Sequence, residues 1–167
     1  MADSTHRLSK AEYDRRLPRL RDDLLSVQTQ MRQSSSCAVA LILAGVPAAG
    51  RSESINHLLE WLDPKHVSVH ALGAPGEDSR ERPPLWRYWQ VLPPRGRMTF
   101  YFAGWYNDYL AAAMGKHRKS RDHQRRTAER IVRLERMLAR DGIRTLKIFL
   151  NIDAKTQRER IAKLRKD

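Results

Sequence analysis

The sequence predicts an α/β protein built on a parallel sheet covered by helices on both faces, three layers in all, with one helix ahead of it. Three observations carry that expectation. Cys37 to Ala44 is a short, near-continuous apolar run rich in strand formers, the pattern of a strand buried on both faces. Strand-like segments then alternate with segments of helical period, which implies parallel pairing through helical crossovers. A glycine-bearing turn, Gly45 to Ser52, follows the first strand directly. In sheets of this kind, ligands bind at the carboxyl ends of the strands.

Each element has a local reason. Ser9-Lys10-Ala11-Glu12 has the form of a capping box, opening a helix with apolar positions Leu17, Leu20, Leu24, Val27 and Met31. Pro18 is expected to break or kink its early part. Gln33 to Ser36 reads as a polar connector, so residues 1–36 are taken as helix and linker and 37–167 as one domain. After the first strand and its turn, Ile55, Leu58, Leu59 and Leu62 share a helical face, which Asp63-Pro64 stops. Val67 to Leu72 alternates as a second strand, and residues 73–84 form a loop. Leu85 to Leu92 reads as a short helix closed by Pro93-Pro94. Met98 to Phe102 is a third strand and Trp105 to Met114 a helix. The hydrophilic basic segment 115–126 precedes a helix expected from Thr127, with Ile131, Leu134 and Leu138 on one face. Asp141-Gly142 ends it, with Gly142 in the left-handed cap role. Thr145 to Ile152 is the fourth strand, and Lys155 to Arg165 the last helix.

The chain has 167 residues, 41% of them hydrophobic, which is enough for one domain with a core. Its longest apolar run, Cys37 to Val46, is far shorter than the ~20 residues of a membrane span. The start, MADSTHRLSK, lacks the apolar stretch of a secretory signal, and the lone Cys37 excludes a disulfide within the chain. A cytoplasmic protein with no membrane partner is expected. The net charge is +13, and its excess is concentrated: residues 115–167 hold 18 basic and 7 acidic groups, against 14 and 12 in residues 1–114. So uneven a field favours a polyanion. Lys116, Arg118, Lys119, Arg121, Arg125 and Arg126 are the candidate residues to track it, by charge pairing and counterion release.

Gly45-x-x-x-x-Gly50-Arg51-Ser52 matches the phosphate-loop pattern except that Arg51 stands where Lys is usual. In that pattern, backbone N–H groups turn inward around phosphate oxygens at a helix N-terminus. The candidate phosphate-binding residues are therefore Gly45, Ala48, Ala49, Gly50, Arg51 and Ser52. Glu53, in the first helical turn, would repel a phosphate there. Phosphoryl transfer also needs a carboxylate at a neighbouring strand end to organise Mg²⁺. The strand Met98 to Phe102 ends without one, and Asp108 reads as a surface helix residue. His66 and His70 share a strand face too far apart to form a metal site. Trp86, Trp89, Trp105 and Tyr106 read as core aromatic residues rather than a base-stacking platform.

At these residues the sequence resembles polyphosphate kinase family 2, P-loop phosphotransferases that move phosphate between inorganic polyphosphate and nucleotides. Gly45-Val-Pro-Ala-Ala-Gly-Arg-Ser-Glu-Ser-Ile55 is similar to the family's Gly-x-Asp-Ala-Ala-Gly-Lys-Gly-Gly-x-Ile loop. Leu62-Asp63-Pro64, Trp86-Arg-Tyr-Trp89 before Leu92-Pro93, and Phe100-Tyr-Phe-Ala-Gly-Trp-Tyr-Asn107 follow in family order. So do Arg130 to Leu138, Gly142-Ile143, Lys147 to Leu150 and the helix from Gln157 to Arg165. The resemblance implies a P-loop-kinase-like fold, polyphosphate and AMP or ADP as partners, and Mg²⁺ as the cofactor of active relatives.

The departures are concentrated in the catalytic parts. Pro47 stands for the loop Asp, Arg51 for the loop Lys, and Ser52 and Glu53 for the two glycines. Phe102 stands for the strand-end Asp and Ala103 for the Arg beside it, and the sequence stops at Asp167, before the family's basic lid. The resemblance therefore points to the first, degenerate domain of a tandem polyphosphate:AMP phosphotransferase. Such a domain is expected to be weak or inactive by itself, to carry no intact catalytic residue or assured metal, and to associate with a like copy or an active one. The alternative is a basic protein that binds nucleic acid or another polyanion on a P-loop-like scaffold. Against it, residues 115–148 hold no aromatic residue to stack bases.

Overall fold

The computed structural model describes residues 8–73, 76, 81–114 and 119–164. Among them the chain forms α1 (Lys10–Ser34), β1 (Ala38–Gly45), α2 (Arg51–Trp61), β2 (Val67–His70), α3 (Trp86–Trp89), β3 (Met98–Phe102), α4 (Asn107–Met114), α5 (Arg121–Arg140), β4 (Ile143–Leu150) and α6 (Ala154–Leu164). Short 3-10 turns, Pro64–His66 and Gly104–Tyr106, lead into β2 and α4. None of the described helices is long and apolar enough to cross a membrane.

The sheet has the order β2-β3-β1-β4, and every neighbouring pair is parallel. The expected three-layer arrangement is what forms. One face of β1 packs Leu41 and Leu43 with Met31 of α1, Ile55 of α2 and Phe100 of β3. The other packs Ala40 and Ile42 with Tyr101, Trp105 and the α5 residues Ile131, Leu134 and Leu138. Residues Ala38 and Ala40 to Ala44 are buried, as a central strand between two helical layers requires. By contrast β4 is an edge strand, and it leaves Leu146, Ile148 and Phe149 exposed.

Several local expectations need correction. Helix α1 runs unbroken through Pro18. Pro18 is exposed, so the carbonyl that loses its helical donor faces water instead of a packed core. Half of the capping box forms, with Ser9 Oγ accepting from the Glu12 N–H at 3.2 Å, while the Glu12 carboxylate accepts from Arg16. However, Leu20 and Val27 point outward, and the buried α1 side chains are Met31 and Gln28. Gln28 is buried because its amide is satisfied twice by one residue: it donates to the Asp63 carbonyl (3.0 Å) and accepts from the Asp63 N–H (2.8 Å).

Helix α5 starts at Arg121, six residues before Thr127. Ser120 caps it by accepting from the His123 N–H, and exposed Asp122–Arg126 and Arg125–Glu129 pairs support the first turns. The basic segment is therefore partly a helix. Strand β2 stops at His70, and β4 begins at Ile143, directly after Gly142, whose φ of +82° provides the expected left-handed turn.

Candidate functional site

The loop between β1 and α2 lies where the parallel sheet places ligands, outside the carboxyl ends of its strands. Two of its residues adopt left-handed backbone: Ala48 (φ +61°) and Gly50 (φ +95°), the residue that caps α2. These reversals aim successive peptide groups in different directions. The outward carbonyls are taken up by α6, where Gln157 Nε2 donates to the Pro47 carbonyl (3.1 Å) and Arg160 Nη1 to the Ala48 carbonyl (3.2 Å). The Val46 N–H donates to the Leu150 carbonyl, and the Ala49 N–H to the Val46 carbonyl. The N–H groups of Ala48, Gly50, Arg51, Ser52 and Glu53 have no acceptor among the described residues. That is a row of donors with the N-terminal end of an 11-residue helix behind it.

The two loop glycines do different work. A Cβ at Gly45 would come within 2.4 Å of the Leu150 carbonyl oxygen, so this glycine serves the close approach of β1 to β4. A Cβ at Gly50 meets nothing nearer than Glu53 Oε2 at 3.9 Å, so Gly50 is required for its backbone conformation. The same distance places the Glu53 carboxylate beside the donor row, where it competes with an incoming anion. Arg51, half-buried at the first position of α2, supplies the opposite charge.

Strand β3 lies beside β1, with Phe102 in register with Leu43 and the Ala103 N–H donating to the Leu43 carbonyl at 2.9 Å. Side chains at this strand end are apolar. Magnesium is held by oxygen ligands, usually one or two carboxylates together with the phosphates it serves. Phe102 and Ala103 offer no such donor, and no group of three or more His, Cys, Asp or Glu residues lies together among the described residues. The residues present do not fit a metal held at this strand end.

The remaining candidate residues separate. Lys116 and Arg118 lie outside the described residues. Lys119 and Arg121 are exposed where α5 begins. Arg125 pairs with Asp122 (3.0 Å) and Glu129 (2.7 Å), and Arg126 with Asp122 (2.8 Å). These solvent-exposed pairs are weak, about 0–1 kcal/mol each, so a polyanion can displace them. His66 sits in a 3-10 turn facing Asp63 at 3.6 Å, and His70 stacks on Tyr101.

Of the four aromatic residues, Trp105 is core. Its Nε1–H donates to Glu135 (3.2 Å), as does the half-buried Tyr106 hydroxyl (2.8 Å), while Lys147 Nζ closes the cluster at 2.8 Å. Burial and its bond to Glu135 push the Tyr106 hydroxyl up from its ordinary pKa. The bond to Glu135 likewise raises Lys147. Trp89 is exposed, and Trp86 belongs to neither core cluster, which corrects the expectation that both are core. Sequence reasoning missed Gln157 and Arg160 as residues touching the loop, since no local signal links positions 110 residues apart.

Comparison with known proteins shows the family to which the chain belongs. The family model described as polyphosphate kinase 2 matches residues 7–167, so the match takes in α1 as well as the sheet. The chain is 34% identical over 168 residues to a polyphosphate:AMP phosphotransferase of Pseudomonas aeruginosa, covering 99% of this chain and 33% of that one. It is 30% identical over 168 residues to the protein of the same name from Pseudomonas syringae, with the same coverage. A crystal structure of a polyphosphate kinase 2 from Pseudomonas aeruginosa superposes with a TM-score of 0.86 at 31% identity, covering 96% of this chain and 34% of that one. The chain spans about a third of the length of these relatives. It belongs to the polyphosphate kinase 2 family.

Proposed function

We infer that this polyphosphate kinase 2 family chain binds inorganic polyphosphate on the backbone of Gly45 to Ser52, and that its transfer of phosphate to AMP is weak or absent. The observation that supports the reading is the row of N–H groups of Ala48, Gly50, Arg51, Ser52 and Glu53 that have no acceptor among the described residues, with Gln157 and Arg160 holding the carbonyls on the opposite side of the loop. Amide donors and a helix N-terminus bind phosphate oxygens without needing a lysine. Arg51 adds a charge that pairs with phosphate bidentately, though its wider fork does not take the place of an ammonium in a close cradle. Lys119, Arg121, Arg125 and Arg126 at the start of α5, with Lys116 and Arg118 before them, guide the phosphate chain by long-range attraction.

Transfer is disfavoured for a separate reason. Catalysis of phosphoryl transfer is almost entirely charge stabilisation and positioning. Phe102 and Ala103 provide neither where β3 ends, and Glu53 adds negative charge beside the donors. The polyphosphate:AMP reaction named for the Pseudomonas relatives would fall to other parts of a longer protein or to an active copy, with this chain as its cytoplasmic binding and scaffolding partner.

The test combines binding and turnover. Polyphosphate affinity is measured across salt concentrations, with DNA and RNA at matched salt, and ADP formation from AMP and polyphosphate is followed with Mg²⁺ present. The reading expects salt-dependent polyphosphate binding that Arg51→Ala weakens, preference over nucleic acid, and no ADP above the Arg51→Ala background. ADP formation well above that background would overturn the inactive half of the reading. Equal affinity for nucleic acid would favour a general polyanion binder.

A further inference from the structure

Helix α1 carries apolar residues that the fold does not use. Tyr13, Leu17, Leu20, Leu24, Val27 and Met31 recur at alternating steps of four and three, the period that draws one seam along a helix. At the carboxyl end of α1 this seam meets the body of the protein. Met31 is buried there, and Leu24 packs against the same cluster as Ile55 and Phe100. Toward the amino end nothing among the described residues covers it. From Lys10 to Asp23 every side chain is exposed except Glu12 and Leu17, which are half-buried. Tyr13, Leu20 and Val27 follow one another at seven-residue steps and are 43%, 47% and 50% exposed. About four helical turns therefore present an apolar stripe to water, which a second helix would bury.

The charges beside the seam select the partner and its direction. Asp14 and Arg21 flank the seam on one side, Arg16 and Asp23 on the other. In an antiparallel helix pair each flank meets the same flank of its partner, and in a parallel pair it meets the opposite one. A copy of α1 laid antiparallel, crossing between Pro18 and Arg19, sets Leu17 beside Leu20 of the second copy and Tyr13 beside Leu24. The same placement brings Asp14 to Arg21 and Arg16 to Asp23, and the two-fold axis repeats both pairs. A parallel placement sets Arg16 against Arg21 instead. Arg16 and Asp23 also have neighbours on their own helix, Glu12 and Arg19, whereas Asp14 and Arg21 form no ion pair among the described residues. The net positive charge of the chain lies elsewhere. Helix α1 holds six basic and four acidic residues, and it packs on the α2 face of the sheet, opposite the face covered by arginine-rich α5.

We propose that α1 is a dimerisation element, its seam of Tyr13, Leu17, Leu20 and Leu24 packed antiparallel against the same seam of a second copy of this chain. The apolar layers supply the attraction, and the Asp14–Arg21 and Arg16–Asp23 pairs fix the antiparallel direction. None of the phosphate-loop residues takes part, so the proposal stands apart from the reading of that loop.

Sedimentation equilibrium of the full chain from about 1 to about 200 μM tests it, with circular dichroism on the same samples. A monomer–dimer equilibrium is expected within that range. Leu20→Gln should raise the dimer dissociation constant at least about tenfold, because each dimer loses two buried leucines. Leu20 is exposed in the single chain, so the helical signal of this variant should match that of the native protein. Arg21→Glu sets a carboxylate against Asp14 of the second copy and should weaken the dimer about three- to tenfold at low salt. Adding Asp14→Arg to that variant should restore the native dissociation constant. A chain that stays monomeric throughout the range, or a dimer indifferent to Leu20→Gln, overturns the proposal. A dimer that Arg21→Glu tightens has parallel helices, which overturns the antiparallel arrangement.

Discussion

Arg160 of α6 donates to the carbonyl of Ala48, 112 residues earlier in the chain, and so holds the left-handed turn of the loop between β1 and α2 from outside. Gln157, nearly one helical turn before it, does the same for Pro47. The last described helix thereby decides which way the first loop presents its N–H groups.

That relationship predicts that α6 acts on phosphate binding without touching phosphate. Gln157→Ala removes a neutral hydrogen bond and should weaken polyphosphate binding about two- to tenfold, with no change in the salt dependence. Arg160→Ala should weaken it by a similar factor if Arg160 only positions the loop. A salt slope smaller by about one would instead show that its charge meets phosphate directly. Titrations at three or more salt concentrations separate the two.

Glu53→Gln should strengthen polyphosphate binding. The substitution removes a carboxylate beside the donor row while keeping its size, and two charges about 4 Å apart near a surface interact by one to a few kcal/mol before salt screening. The expected gain is about three- to tenfold at low salt, shrinking as salt is added. Unchanged or weaker binding would place the phosphate elsewhere.

The loop glycines should fail in opposite ways. Gly45→Ala drives a Cβ against the Leu150 carbonyl and should lower the melting temperature sharply, whether or not ligand is present. Gly50→Ala meets open space but forces a left-handed backbone on alanine, costing about 1–2 kcal/mol. Its stability loss should be modest and its loss of polyphosphate binding larger. Thermal melts with and without polyphosphate report both.

The Glu135 cluster should govern stability at alkaline pH. Glu135 accepts from Trp105, Tyr106 and Lys147, so Glu135→Ala leaves the Trp105 N–H buried and unpaired, a loss of about 1–3 kcal/mol. Lys147 has a pKa raised by its bond to Glu135. A raised cation contributes stability that is complete below its unfolded pKa and disappears as pH rises through the folded one. Unfolding measured from pH 9 to 12 should therefore show a loss setting in above about pH 10.5 in the native chain that is smaller in Lys147→Gln. Equal alkaline losses would remove Lys147 as the cause.

Much of the fold was legible because its signals are local. The apolar run before Gly45 identifies a central strand, Ser9 with Glu12 a helix start, and Gly142 a helix end, since each depends on neighbours within a few residues. The identities of Phe102, Ala103 and Arg51 likewise stand in the sequence. Where the reading missed, a distant contact or a charge pair had changed the outcome. Helix α5 begins six residues early, where Ser120 caps it and weak i,i+4 pairs add to its first turns. Helix α1 buries Gln28 because Asp63, 35 residues on, satisfies both ends of its amide.

The sequence alone therefore determined the alternation of elements, the place of the glycine-bearing loop after β1 and the apolar residues that end β3, because these follow from residue type and spacing along one segment. Only the tertiary structure decided that Gly45 serves a strand contact, that Gln157 and Arg160 hold the loop, and that Trp86 belongs to neither core cluster. Those outcomes depend on which groups from remote segments meet at about 3–4 Å, where hydrogen bonds and van der Waals contacts act.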